Sequence, residues 1–182
     1  GVGVALKLVM AIEGEYADPL SVLENYSDLA CIGTVGDIVP LVGDNRVIVK
    51  NGLRHISNTD RIGLSALIEE AGLSGKNIST GNVSFTIVPR INAGGRLGLS
   101  KKTVSMLLTD DEETAFDIAQ ELCEDNTARQ SIEKEILSDI DERIKRDPTI
   151  VQNKIIVVCG ENWHQGVIGI VASRIKEVYS KP

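Results

Sequence analysis

From Thr109 to Asp147 the chain contains neither glycine nor proline, and Pro148 closes the run. The stretch opens on Thr109-Asp110-Asp111-Glu112-Glu113. Acids in that place suit the positive end of a helix dipole. Apolar residues then recur at Ala115, Ile118, Ala119, Leu122, Ile132, Ile136, Ile140 and Ile144, the spacing of one helix face. These features predict a single helix of roughly nine or ten turns at ~3.6 residues per turn. A rod of that length with a narrow apolar stripe commonly joins two packed bodies. The rest of the fold has to be arranged around it.

Residues 2–12 read as an apolar helix. Asp28 to Val35 is a continuous apolar run of strand length, which predicts a strand buried on both faces and ending at Gly36-Asp37. A helix follows, with Asp44 as its cap and Val49, Leu53 and Ile56 on one face. Gly63 to Ala71 predicts a short helix stopped by Gly72. Thr80 caps a segment reaching Val88. Beyond the long helix, Lys154 to Gly160 predicts a second buried strand, and VIGIVASRIKEVY a helix whose N-terminus faces the GENWHQG loop. Strands alternating with helices predict an α/β class: a parallel-sheet body joined by the long helix to the start of a second α/β domain. The expected boundaries are 1–108, 109–148 and 149–182. Both ends of the chain read as cut within a longer polypeptide.

A formal charge of −7 excludes a bulk attraction to nucleic acid, so any phosphate binding must come from a local cluster of basic groups. Aromatic residues make up 3%, too few for a base-stacking platform. No run is long and apolar enough to suggest a membrane span, and no signal peptide is visible. Cys31, Cys123 and Cys159 are widely spaced, with no CxxC pair, and read as buried free thiols in a reducing cytoplasm.

Three places can carry chemistry. Asp37 lies just past the carboxyl end of the first expected strand, where α/β sheets collect ligands, and a carboxylate there suits Mg²⁺ or Mn²⁺. A lone aspartate after glycine is equally an ordinary turn residue. In PRINAGGRLG (Pro89–Gly98), Gly94 and Gly95 let the backbone approach a ligand, Asn92 can donate, and Arg90 and Arg96 offer planar forks for phosphate oxygens. The plain alternative is a structural turn with two solvated arginines. In GENWHQGVIGIVASR (Gly160–Arg174), His164 and Gly166 sit at a helix N-terminus, an anion-binding arrangement, although a loop histidine also pairs locally. Trp163 reads as a packing residue. Lys101 and Lys102 extend a basic patch or merely solvate a helix start.

These three motifs, with GTVGDIVPL (Gly33–Leu41) at Asp37 and in this order, resemble the RecJ group of the DHH phosphoesterases. ELCEDNTARQSIEKEIL is similar to that group's interdomain helix, with Asn126, Arg129, Gln130 and Glu133 in matching places, and GVGVALKL is similar to the helix after the DHH motif. The likeness spans essentially the whole chain. It implies a 5′→3′ exonuclease specific for single-stranded DNA, working in DNA repair and recombination with two Mn²⁺ or Mg²⁺ ions. By the resemblance Asp37 is a metal ligand. Arg90, Asn92, Gly94, Gly95 and Arg96 hold substrate phosphate. His164, Gly166, Ser173 and Arg174 belong to the DHH-associated domain that grips the strand. A cytoplasmic monomer is the setting it implies. Gly36 and Gly94 stand where alanine is common in the group.

The group's N-terminal aspartate motifs, its DHH triplet and its glycine-rich C-terminal end with a histidine are absent from this sequence. The 182 residues therefore carry one expected metal ligand, and two-metal hydrolysis needs several. The isolated chain is expected to fold at least partly without cleaving DNA. Rival readings are another DHH phosphodiesterase, acting on oligoribonucleotides or cyclic dinucleotides, and a non-catalytic DNA-binding relative.

Overall fold

The computed structural model describes residues 1–14, 18–97 and 100–182. Among these every regular element is helical, which overturns the parallel sheet expected above. The elements are α1 (Val2–Glu13), α2 (Pro19–Gly36), α3 (Gly43–Ile56), α4 (Ile62–Glu70), the short α5 (Thr80–Asn82), a π-helical turn (Val83–Ile87), α6 (Val88–Arg96), α7 (Ser100–Leu108), α8 (Glu112–Arg146), a 3₁₀ turn (Pro148–Val151) and α9 (Gln165–Tyr179).

The first expected strand is the second half of α2. That helix starts at Asp18, whose carboxylate accepts from the Leu20 amide at 3.1 Å, with Pro19 in the first turn. Proline there loses no needed hydrogen bond. Val22, Ser27, Ala30, Cys31, Ile32, Thr34 and Val35 are all buried, because α1, α3 and the π-helical turn pack around the helix. A helix covered on several sides loses its polar face and reads as an apolar run. The α2–α3 crossing is close: a Cβ on Gly52 would lie 2.2 Å from the Ser27 carbonyl oxygen.

The second expected strand, Lys154–Gly160, is irregular. A strand needs a ladder partner for its backbone groups. Among the described residues the segment finds one such bond, from the Ile156 amide to the Pro182 carbonyl at 2.8 Å.

The capping of the long helix follows the sequence. The Asp111 carboxylate accepts from the Thr114 amide at 2.7 Å, Glu112 and Glu113 fill the first turn, and Arg143, Lys145 and Arg146 the last. At ~1.5 Å per residue α8 is about 50 Å long. Its buried residues are Ala115, Ala119, Leu122, Asn126, Arg129, Glu133, Ile136 and Ile140, alternating four and three apart as in a coiled-coil seam. The seam serves two cores. Ala119 and Leu122 join a cluster with Cys31, Val49, Ile56, Leu64, Leu67, Val83, Ile87 and Met106. Ile136 and Ile140 join Val167, Val171 and Ile175 of α9. Between them the seam is polar.

Candidate functional site

Asp37 caps the C-terminus of α2 rather than a sheet edge; its amide donates to the Gly33 carbonyl at 3.0 Å and its carboxylate faces solvent. The next residue, Ile38, is 89% exposed and has φ 54°. A β-branched residue in the left-handed region is strained, at a cost of order 1–3 kcal/mol. The strain sits at the shoulder of the one carboxylate singled out as a ligand. Asp37 shares a shallow cavity with Val2, Lys7, Thr34, Val39 and Asp44. Asp44 is committed elsewhere: Lys7 donates to it at 2.6 Å, and that bond holds the Asp44 carboxyl below the usual carboxylate range. Among the described residues no group of three His, Cys, Asp or Glu side chains could hold a metal ion. Asp37 thus fits a metal site as one hard oxygen donor, and the remaining donors would have to come from elsewhere.

PRINAGGR is helical, which corrects the expected glycine turn. Gly94 and Gly95 lie inside α6, where their amides serve the helix. Gly98, the end of the motif, lies outside the described residues. The helical run made of α5, the π-helical turn and α6 begins at Ser79, one residue before the expected cap, in a capping box with Asn82. The π-helical turn precedes Pro89, with the Val88 amide donating to the Val83 carbonyl. The widened register makes room for the proline ring, which would collide with a carbonyl four residues back in an α-helix.

Arg90 does not line the Asp37 cavity. Its Nε donates to Cys123 Sγ at 3.2 Å and its Nη1 to the Thr86 carbonyl at 2.7 Å, so it fastens the π-helical turn to α8. Asn92 is exposed, one turn beyond Val88, and Val88 lies 3.2 Å from where a Cβ on Gly36 would be. Asn92 is therefore on the row of α6 that begins at the end of α2, whereas neither it nor either arginine lines the Asp37 cavity. Lys102 is no free basic group, because it pairs with Glu121 of α8 at 2.6 Å.

Arg96 does meet the third motif. Its Nη1 donates to the Gly166 carbonyl at 3.3 Å, and a Cβ on Gly166 would lie 2.1 Å from the Arg96 carbonyl oxygen. Two motifs 70 residues apart thus touch backbone to backbone at the N-terminus of α9. His164 is the N-cap of that helix: its Nδ1 accepts from the Gly166 amide at 3.1 Å, and its carbonyl accepts from Val167 and Ile168. The histidine has taken up several of the donors expected for an anion. Ser173 donates to the Gly169 carbonyl at 3.0 Å and is exposed.

Trp163 packs, as its size suggested. Its ring covers Gly160, its Nε1 donates to Asp139 at 3.1 Å, and the Arg143 guanidinium lies 5.8 Å from the ring centre. Arg143 is bidentate on Asp139 and also reaches the Cys159 carbonyl, and its bond holds the Asp139 carboxyl below the usual range. This staples the GENWHQ loop to the last turns of α8. Of the three cysteines only Cys31 is buried; Cys159, expected inside a strand, is exposed.

The polar members of the α8 seam, Asn126, Arg129 and Glu133, match an interdomain helix in sequence, but the sequence assigns them no contact or role. Glu133 is 3% exposed and accepts from Arg129 Nη1 at 2.7 Å, while its other oxygen pairs with Arg174 of α9. Arg129 also donates to Asn126 at 3.3 Å. The signal was present as the gap between Leu122 and Ile132 in the apolar pattern, filled in register by Asn126 and Arg129. At the joint between the two cores Arg129 and Arg174 thus set two guanidiniums on the single Glu133 carboxylate, in an otherwise acidic chain.

No family model matches the chain. Curated proteins do. It is 40% identical over 182 residues to the single-stranded-DNA-specific exonuclease RecJ of Thermus thermophilus, covering all of this chain and 26% of that protein. It is 37% identical over 185 residues to the RecJ of Bacillus subtilis, covering all of this chain and 22% of that one. RecJ of Thermus thermophilus solved in complex with Mn²⁺ superposes with a TM-score of 0.87 over 99% of this chain and 26% of that one, at 40% identity; its complex with Mg²⁺ gives 0.83. In sequence and in fold the chain is similar, along its whole length, to exonucleases named for single-stranded DNA. Within that class the likeness is to the RecJ group, and the chain spans about a quarter of the length of these relatives.

Proposed function

We propose that the chain forms the middle of a metal-dependent 5′→3′ exonuclease that hydrolyses phosphodiester bonds of single-stranded DNA in repair and recombination. The observation that carries this is the end-to-end match to RecJ in both sequence and fold. The same match favours it over a cyclic-dinucleotide or oligoribonucleotide hydrolase and over a non-catalytic relative. The domain reading keeps the helices before residue 109 with the catalytic half, α8 as the connector, and residues from 149 onward as the start of the DHH-associated domain. The two separate cores along α8 support it.

In this reading Asp37 supplies one oxygen to one of two Mn²⁺ or Mg²⁺ ions, and its exposed carboxylate beside a strained Ile38 is consistent with that role. When bound, such ions activate water and neutralise phosphate charge. The other residues bind and orient. Arg96 and Arg174 meet the strand's phosphates at the joint, Asn92 donates from the exposed row of α6, and Ser173 adds a hydroxyl. His164 and Gly166 shape the entry to α9, Gly94 and Gly95 keep α6 slim, and Arg90 braces α6 from behind. The setting proposed is a cytoplasmic monomer; among the described residues no helix is long and apolar enough to cross a membrane.

The test is Mn²⁺-dependent digestion of a 5′-phosphorylated single strand by the full-length polypeptide that carries this stretch. Asp37→Ala is expected to lower the rate at least about a hundredfold, given the several kcal/mol a metal supplies to the transition state, with an unchanged melting temperature. The 182-residue chain alone is expected to show no digestion. Full activity of the Asp37→Ala protein would refute the ligand role.

A further inference from the structure

We infer that Glu133 is a positioning residue: buried in the seam of α8, it orients Arg174 of α9 so that the outer edge of that guanidinium is held ready for a phosphate of the DNA strand. The inference rests on the exonuclease reading and goes beyond it, since Glu133 touches no substrate.

Three observations converge. First, the Glu133 carboxylate is 3% exposed and meets two arginines: one oxygen accepts from Arg129 Nη1, and the other, which has no hydrogen-bond partner, forms an ion pair with Arg174 Nε. A buried carboxylate is costly unless paired and hydrogen-bonded, so its place in the seam calls for a reason beyond packing. Second, Arg174 is bound only through the Nε side. Its side chain is 60% exposed, and neither Nη group has a hydrogen-bond partner among the described residues. Those two groups form the edge suited to a phosphate. Third, Gly166, Ile170 and Arg174 form one row of α9, four residues apart. The row starts at the Arg96 contact and ends, two turns on, at Glu133. Arg174 therefore faces the same joint as Arg96.

Arg129 has a defined part in this. One carboxylate against one arginine would cancel the charge offered to DNA. The second arginine offsets Glu133, so Arg174 keeps an uncompensated positive charge while losing its freedom to move. Fixing an arginine side chain in advance removes an ordering cost equivalent to about tenfold in affinity.

The experiment is a double-mutant cycle in the full-length polypeptide. Binding to a fluorescent 5′-phosphorylated single strand is measured in EDTA, so that nothing is cleaved, at several salt concentrations. Arg174→Gln is expected to weaken binding about tenfold and to reduce the salt slope by about 0.7, the value for one phosphate contact on a single strand. Glu133→Gln is expected to weaken binding by a similar factor and to lower the slope as well. The double variant is expected to bind no worse than Arg174→Gln alone. If Glu133→Gln lowers the melting temperature too far for binding to be read, Glu133→Asp takes its place, because it keeps the charge and withdraws it from Arg174. Additive losses, or a Glu133 variant that melts earlier yet binds with the wild-type slope, would make Glu133 a structural residue only and overturn the inference while leaving the exonuclease reading intact. A wild-type protein that neither binds nor digests single strands would overturn both.

Discussion

A methyl group on Gly166 would sit 2.1 Å from the Arg96 carbonyl oxygen, and neither backbone can give way without opening the joint. Gly166→Ala is expected to destabilise the chain by about 1–3 kcal/mol through forced separation of packed elements, read from denaturant unfolding. Gly169, one turn on, has nothing within 4 Å of its missing Cβ. Gly169→Ala is expected to stabilise by about 0.5–1 kcal/mol through helix propensity, which makes it a control for the glycine effect itself. The cysteines separate in the same residue-by-residue way. Burial, with a smaller contribution from Asp28, pushes the Cys31 thiol from 9.0 up to about 12. The unfolded chain releases this proton near its ordinary value while the folded chain holds it, so stability falls as pH rises from 9.0 towards 12. A wild-type urea midpoint that declines more steeply above about pH 9 than that of Cys31→Ser is the expected result. A thiol reagent is expected to label Cys159 in the native chain and Cys31 only after unfolding.

At the scale of elements, the helices with clear ends were legible and the fully wrapped one was not. Asp111 and the acids after it announce α8. Asp111→Ala removes the carboxylate that accepts from Thr114 and is expected to cost about 0.5–2 kcal/mol, measured as a lowered unfolding midpoint. Gly72, at φ 69°, follows the end of α4 as its sequence position predicted. Asp28–Val35 misled because a short apolar run looks the same in a buried strand and in a helix covered on several sides. The deciding signal, Asp18-Pro19, lay about ten residues upstream. Lys154–Gly160 has the composition of a strand, but a strand is a property of two segments, and its partnering within the described residues stops at one bond to Pro182. In PRINAGGR, proline and paired glycines suggested a turn; the π-helical turn that accommodates Pro89 is a tertiary solution that no local pattern announces. Of the candidate site, the three motifs could be picked out in the sequence, but the meeting of Arg96 with Gly166 could not. Nor could the diversion of Arg90 to Cys123 or the role of Glu133, since each depends on what lies across the helix interface.

For the whole molecule, the decisive feature is that both cores grip one uninterrupted rod, with the polar joint between them. An axle fixes the wheels at its two ends in angle as well as in distance, and here the angle is written as a residue count. One alanine inserted after Gln130 would advance everything beyond it by about 1.5 Å and turn it by about 100°. Each core would keep its own side chains, but α9 would swing away from α6, taking Gly166 from Arg96 and Arg174 from its carboxylate. The expected outcome is a protein that melts in two steps where the parent melts in one, and whose full-length form no longer degrades single strands. Sequence drift along the outward face of α8 should therefore be cheap, whereas any change in its length would alter the angular phase of one core against the other.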